Sequence, residues 1–210
     1  MRGDPACGRN GETVPSPRTV IAPSGGVPHV FVYVRKGITG AYDPPTAPIT
    51  LDQRGCMFAP HVFGLRVDQP LHIINSDHTI HNVHSLARRN IDFNISQPAQ
   101  GMQTIRTFSK PEVMVKFRCD VHGWMEAYCG VLPHPFFAVT DTEGRFEIAR
   151  LPPGEYTLET WHELWGTLRR KVAVAEGAAL TVDFTYARKR KAAAAGDDRI
   201  HPDDGRSSRS

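Results

Sequence analysis

Strand-length runs of β-branched and aromatic residues recur along this 210-residue chain, each cut off by a proline or glycine turn. Nowhere does an apolar period of the helical kind persist for about ten residues or more. The run Val30 to Val34 stops at Gly37. From Ile49 onward come Val62 to Val67, Leu71 to Asn75, Thr104 to Phe108, Val113 to Phe117 and Ala127 to Leu132, bounded by turn chemistry such as Asp68-Gln69-Pro70 and Ser109-Lys110-Pro111. A second group comprises Phe136 to Thr140, Arg145 to Ile148, Tyr156 to Trp161, Leu168 to Val174 and Leu180 to Tyr186, with turns at Asp141 to Gly144 and Leu151 to Gly154. This spacing predicts an all-β chain of sandwich type. The 17 prolines and 18 glycines agree, because a helical protein tolerates fewer.

The formal surplus of +3 sits in residues 187–210, where seven Lys or Arg face four Asp, so the body of the chain is neutral. A neutral body argues against nucleic acid as a partner, since binding needs clustered cations that displace phosphate counterions. The tail's Arg188-Lys189-Arg190-Lys191 run, followed by alanines and mixed charges, reads as disordered and solvated. No stretch of eighteen apolar residues is present, so no transmembrane segment is expected. Met1 to Asn10 hold no apolar run able to thread a translocon, which reads as a cytoplasmic chain or one that begins inside a longer precursor. Four cysteines, Cys7, Cys56, Cys119 and Cys129, are too few for a disulfide scaffold and leave pairing open.

The chemistry concentrates after one strand. With Val113 to Cys119 extended, residues 113, 115, 117 and 119 share a face, so Cys119 points inward. His122 follows three residues on and Met125 three further. Thiolate, imidazole and thioether are soft and borderline ligands that suit copper, with Met as a weak axial ligand. Structural zinc, the rival, prefers four N or S ligands without a thioether. A second imidazole must come from elsewhere, and His78, His81 and His84 lie close together upstream. Strand alternation turns His84, three past His81, to the other face, which leaves it only a further candidate ligand.

The spacing Cys119-x-x-His122-x-x-Met125 resembles the ligand loop of amicyanin-type cupredoxins, and His81-Asn82-Val83 after Asn75-Ser76-Asp77 resembles the upstream ligand segment of plastocyanins and amicyanins. The resemblance implies one copper held by His81, Cys119, His122 and Met125. It also implies that Asn82 secures the two ligand loops to one another and tunes the sulfur from behind. In that family the imidazole edge matching His122 reaches the surface in an apolar patch, so Trp124 is expected at the centre of a docking surface for a redox partner protein.

A wider resemblance, over roughly residues 4 to 175, is to bacterial exported proteins that join a cupredoxin to a carboxypeptidase regulatory-like (transthyretin-like) sandwich. It is carried by Asp4 to Cys7, Leu51 to Cys56, Pro60-His61-Val62, the ligand segments, Phe137 to Phe146 and Leu151 to Leu158. The implied fold is a cupredoxin Greek-key sandwich plus a second small β-sandwich. Its domains are an irregular arm (1–26), the regulatory-like sandwich (27–46 and 134–186), a cupredoxin inserted at 47–133, and the tail (187–210). The resemblance further implies a disulfide between Cys7 and Cys56, a free buried Cys129, and a periplasmic or otherwise exported location.

No nucleophile elbow or phosphate-cradling loop is present, and Trp161-His162-Glu163 finds no catalytic partners in the sequence. The expectation is a single-electron carrier that is not an enzyme and takes no small-molecule substrate. The alternatives are an open-site copper enzyme or sensor, with His84 or water in place of Met125, or a copper carrier without a redox role.

Overall fold

The computed structural model describes Cys7 and residues 21–187. Among these, thirteen strands form and no helix: β1 (Phe31–Lys36), β2 (Ile49–Arg54), β3 (Met57–Ala59), β4 (Val62–Arg66), β5 (Leu71–Asn75), β6 (His81–Leu86), β7 (Asn94–Gln97), β8 (Gln103–Arg106), β9 (Glu112–Arg118), β10 (Glu126–Leu132), β11 (Phe137–Val139), β12 (Gly154–His162) and β13 (Gly166–Val174). They assemble into a front sheet in the order β3-β2-β5-β8, a middle sheet β4-β10-β9-β6-β7 and an outer sheet β11-β1-β12-β13. Two pairs are parallel, β2 with β5 and β4 with β10; the others are antiparallel. Front and middle sheets make a cupredoxin-like sandwich. The tail and most of the N-terminal arm lie outside the described residues.

The sandwich core is built by alternation. Leu51, Phe63, Leu65, Leu71, Ile73, Val83, Val115, Phe117, Ala127, Cys129 and Val131 all turn between the two sheets and are buried. Cys129 is a free thiol in this core, and burial pushes its ionisation well up. The middle sheet is apolar on its other face as well. There Tyr128 and Leu132 of β10 and Val62 of β4 meet Phe31, Tyr33, Phe137 and Trp161 of the outer sheet. Gly64 and Gly130 are direct partners across the parallel β4–β10 ladder. A Cβ on Gly64 would stand 2.2 Å from the Phe137 ring and one on Gly130 2.3 Å from Phe31, so the two rings, stacked 5.6 Å apart, lie against bare backbone.

The outer sheet is entered by β1, left for the whole sandwich, and re-entered by β11, β12 and β13. Its far face carries a third cluster of Val34, Phe136, Tyr156 and Leu158. Two expectations need correction here. Arg145 to Ile148 and Leu180 to Tyr186 form no ladder; their Ile148, Val182 and Phe184 pack on that cluster, so their apolar alternation serves packing rather than pairing. Conversely β6 and β7 are strands that their polar sequences conceal, and β3 is an apolar strand of only three residues, too short to stand out in the sequence. No helix in the described residues is long and apolar enough to cross a membrane.

Candidate metal centre

Antiparallel register brings the ligand candidates together. β6 pairs with β9 so that His84 opposes Arg118 and Ser85 opposes Phe117. Carried on past the end of β9, the same register sets His81 opposite the Cys119 to Met125 loop. That loop is a closed turn: the Cys119 N–H donates to the Met125 carbonyl (3.1 Å) and the Met125 N–H to the His122 carbonyl (2.8 Å). The His122 N–H points at Cys119 Sγ, 3.3 Å away. Val115, Phe117 and Cys119 face inward as the alternation predicts, whereas Val113, at the start of the strand, is exposed.

Ligand atoms of His81, Cys119 and His122 lie within 4.8 Å of one another, all on buried residues. His81 Nδ1 is 2.9 Å from His122 Nδ1, and His122 Nδ1 is 3.9 Å from Cys119 Sγ. Met125 is fully buried in the core cluster that contains Cys119. His84 stands apart from the cluster. On the other face of β6, its Nδ1 meets Asp120 Oδ2 at 3.0 Å, as strand parity requires.

Two polar side chains hold the arrangement. Asp77 accepts the N–H groups of Gly55 (2.7 Å) and Cys56 (2.8 Å) and faces His81 Nε2 at 2.9 Å. Burial raises the Asp77 carboxyl, but the Cys56 N–H, His81 and the Gly55 N–H outweigh it and leave the group below the usual carboxylate range. With its Nε2–H given to this carboxylate, His81 offers Nδ1 to the cluster, which is how a ligating imidazole is normally oriented. Buried Asn75 presents Asp77: its Oδ1 accepts the Asp77 N–H (2.9 Å), and its amide donates to the Thr79 and Gln97 carbonyls.

Asn82 ties the loops together. Its Oδ1 accepts from the Asp120 N–H (2.6 Å), the Val121 N–H (3.3 Å) and the Cys119 thiol (3.3 Å), while its amide donates to Asn94 and Asp120. Asp77 and Asp120 carry no metal-ligand signature in the sequence. An acid four residues before His81 was the only available sign of Asp77.

A disulfide joins Cys7 to Cys56, with Cα atoms 5.3 Å apart. It sits over the cluster: Cys7 Sγ is 3.4 Å from His122 Nε2. The expectation that the His122 edge reaches the surface is therefore corrected, because His122 is only 3% exposed under this bond. Trp124 is half-buried against the core, donates its indole N–H to the Cys56 carbonyl (3.0 Å) and packs 5.2 Å from the His122 ring. The exposed apolar side chains flanking the ligands in sequence are Ile80 and Val121.

The donors fit a copper ion. Two Nδ1 atoms face each other at hydrogen-bond distance beside a buried sulfur, and one of those rings already gives its other N–H to a carboxylate. Such a pocket holds either a shared proton or a cation, and a sulfur with two imidazoles suits a soft one.

No family model matches the chain, and neither does any curated protein. Solved structures do align with it. A Cu-containing nitrite reductase from Thermus scotoductus SA-01 aligns at 21% identity and TM-score 0.39, over 45% of this chain and 24% of that one; the chain thus spans about a quarter of that protein's length. A reduced amicyanin variant aligns at 17% identity and TM-score 0.36, over 48% of this chain and 97% of its own. A Cu(I) amicyanin variant aligns at 19% identity and TM-score 0.36, over 40% and 81%.

Proposed function

We propose that this chain carries single electrons through one copper ion held by His81, Cys119, His122 and Met125, and that it transforms no substrate. The observation that carries the reading is the convergence of the His81 and His122 Nδ1 atoms on buried Cys119 Sγ. Copper supplies the change between the +1 and +2 states. The protein supplies a fixed cage: β6 and the Cys119 to Met125 turn are pinned to each other by Asn82, and Asp77 fixes the His81 ring. A cage that does not relax between the two states keeps the cost of electron transfer low.

On the same reading the outer sheet is a regulatory-like module, with residues 27–46 and 134–186 around a cupredoxin insert at 47–133, and it serves as scaffold or docking surface. The partner is another redox protein, met at a surface that includes Trp124. A Cys7–Cys56 bond suits an exported, oxidising location. Titration with Cu2+ tests the assignment. One equivalent should bind with an intense blue band from sulfur-to-copper charge transfer, and Cys119→Ser should remove the band. A colourless or red product with the unaltered chain would move the assignment to an open-site enzyme or sensor, or to a carrier without redox function.

A further inference from the structure

The Cys7–Cys56 bond has a ligand-bearing ring against it. The sulfurs of Cys7 and Cys56 and a ring nitrogen of His122 all lie within 4.8 Å of one another, on three buried residues. Cys7 Sγ is 3.4 Å from His122 Nε2. Cys56 is the second residue of a two-residue turn: Arg54 pairs with Met57, and Gly55 (φ +61°) and Cys56 (φ +54°) are both left-handed. Its N–H is held by Asp77 (2.8 Å) and its carbonyl by the Trp124 indole (3.0 Å).

The bland account is a staple that ties Cys7 to the sandwich, and it explains the bond itself. It does not explain why the bond lies on a ring of the ligand cluster. Three details go further. A nitrogen and a sulfur on one ion, with N–metal distances of about 2.0–2.1 Å and S–metal distances of about 2.3 Å, stand about 3.5–3.8 Å apart. The 3.4 Å between His122 Nε2 and Cys7 Sγ is close to that. Second, the hydrogen bonds to Asp77 and Trp124 hold Cys56 in place without help from the disulfide. With the Cα atoms 5.3 Å apart, rotation about the two Cα–Cβ bonds lets the opened sulfurs part to the roughly 3.8 Å of two thiolates on one ion. Third, the His122 ring faces two ways, with Nδ1 2.9 Å from His81 Nδ1 and Nε2 toward the two sulfurs.

We propose that in the thiol form of the chain Cys7, Cys56 and His122 Nε2 make a second metal site, for a thiophilic ion and Cu+ above all. Two thiolates and an imidazole are the soft donors that select Cu+. On binding, the two thiol protons leave to solvent, two S–Cu bonds and one N–Cu bond form, and no electron moves. Closing the disulfide abolishes the site. The two sulfurs then give two electrons to a disulfide-bearing oxidant, which takes two protons from solvent and becomes a dithiol, and the ion is released. One pair of cysteines is thus a metal site in one redox state and a staple in the other. The site stands whether or not the Cys119 cluster carries electrons.

The test uses the full, tag-free chain carrying Cys119→Ser, which disables the first cluster and leaves His122 in place. A phosphine opens the disulfide, taking its oxygen from water to become the phosphine oxide, and is removed under argon. Cu+ is then shared between the chain and bicinchoninate, a coloured Cu+ chelator. The reduced variant should hold one Cu+ that the oxidised variant leaves with the chelator. Cys129, sealed in the core, does not compete for it. X-ray absorption at the copper edge should find both sulfur and imidazole nitrogen around the ion. Adding Cys7→Ser or His122→Ala should weaken retention at least about tenfold, with circular dichroism confirming a folded chain. His122 is buried, so the absorption spectrum decides the nitrogen ligand should its variant unfold. Equal retention by the reduced and oxidised chains, retention that survives either added substitution, or a shell of sulfur alone overturns the proposal.

Discussion

At the scale of single residues the proposed centre depends on side chains that touch its candidate ligands. Asp77 Oδ2 lies 2.9 Å from His81 Nε2, and losing such a partner typically costs 10–100-fold in metal affinity. Asp77→Asn should therefore release Cu2+ to a competing chelator at a concentration about tenfold or more lower than the parent requires, with the blue band largely kept. Asn82→Ala removes one acceptor from two N–H groups and a thiol. The metal-free chain should lose on the order of 1–3 kcal/mol in urea unfolding. Cys119, His122 and Met125 were legible because three soft donors at fixed spacing have few other uses, and His81 because its segment resembles a known one. Asp77 and Asp120 were not, since a carboxylate reveals its role only through the N–H groups the fold brings to it.

At the scale of elements, strands announced themselves where β-branched runs made a core face, as in β1, β5, β9 and β10. His81 to Leu86 and Asn94 to Gln97 have no such run; they become strands because β9 offers an edge to β6 and β6 an edge to β7. The glycine window was hidden for a related reason. Gly64 and Gly130 look like weak points of two apolar runs, and only the parallel β4–β10 register shows that they receive Phe137 and Phe31. Gly130→Ala puts a methyl into a ring that has no space for it. It should cost about 1–3 kcal/mol, the usual penalty of overpacking, and should loosen the outer sheet more than the sandwich. Hydrogen exchange of β1 and β12 amides, compared with β5 and β9, checks both effects.

Across the whole molecule, the outer sheet carries a charged knot whose titration contributes to stability at both ends of the pH range. Glu159, in β12, takes the Tyr33 hydroxyl of β1, Arg35 (3.2 Å) and Arg169 of β13. Burial first, then the bond to Glu159, pushes the Tyr33 hydroxyl up to about 12 from 10.0. A raised folded-state value means that this stability is fully present below about pH 10 and is lost as pH rises toward 12, by roughly 3 kcal/mol at most. For Glu159 burial acts upward, but Tyr33, Arg169 and Arg35 hold the carboxyl below its usual range. Its contribution is present above the ordinary value of 4.5 and lost as pH falls through the lowered one. Urea unfolding across pH should show both losses, and Tyr33→Phe should remove the alkaline one.

The Cys7–Cys56 bond spans 49 residues of sequence and contributes about 4 kcal/mol by chain entropy alone, yet its position over His122 Nε2 imposes something else, a sequence in time. The sulfur covers the Nε2 edge of the His122 imidazole, the side from which that ring would otherwise meet solvent. The copper ion proposed above would then have to arrive while Cys7 is still loose, or by a slower path once the bond has formed. Maturation then becomes a race between oxidation and metal supply, and a chain oxidised first is left folded, stable and slow to fill. Cys7→Ser should take up Cu2+ several-fold faster than the oxidised parent in stopped-flow mixing; equal rates would mean that the ion enters from another side.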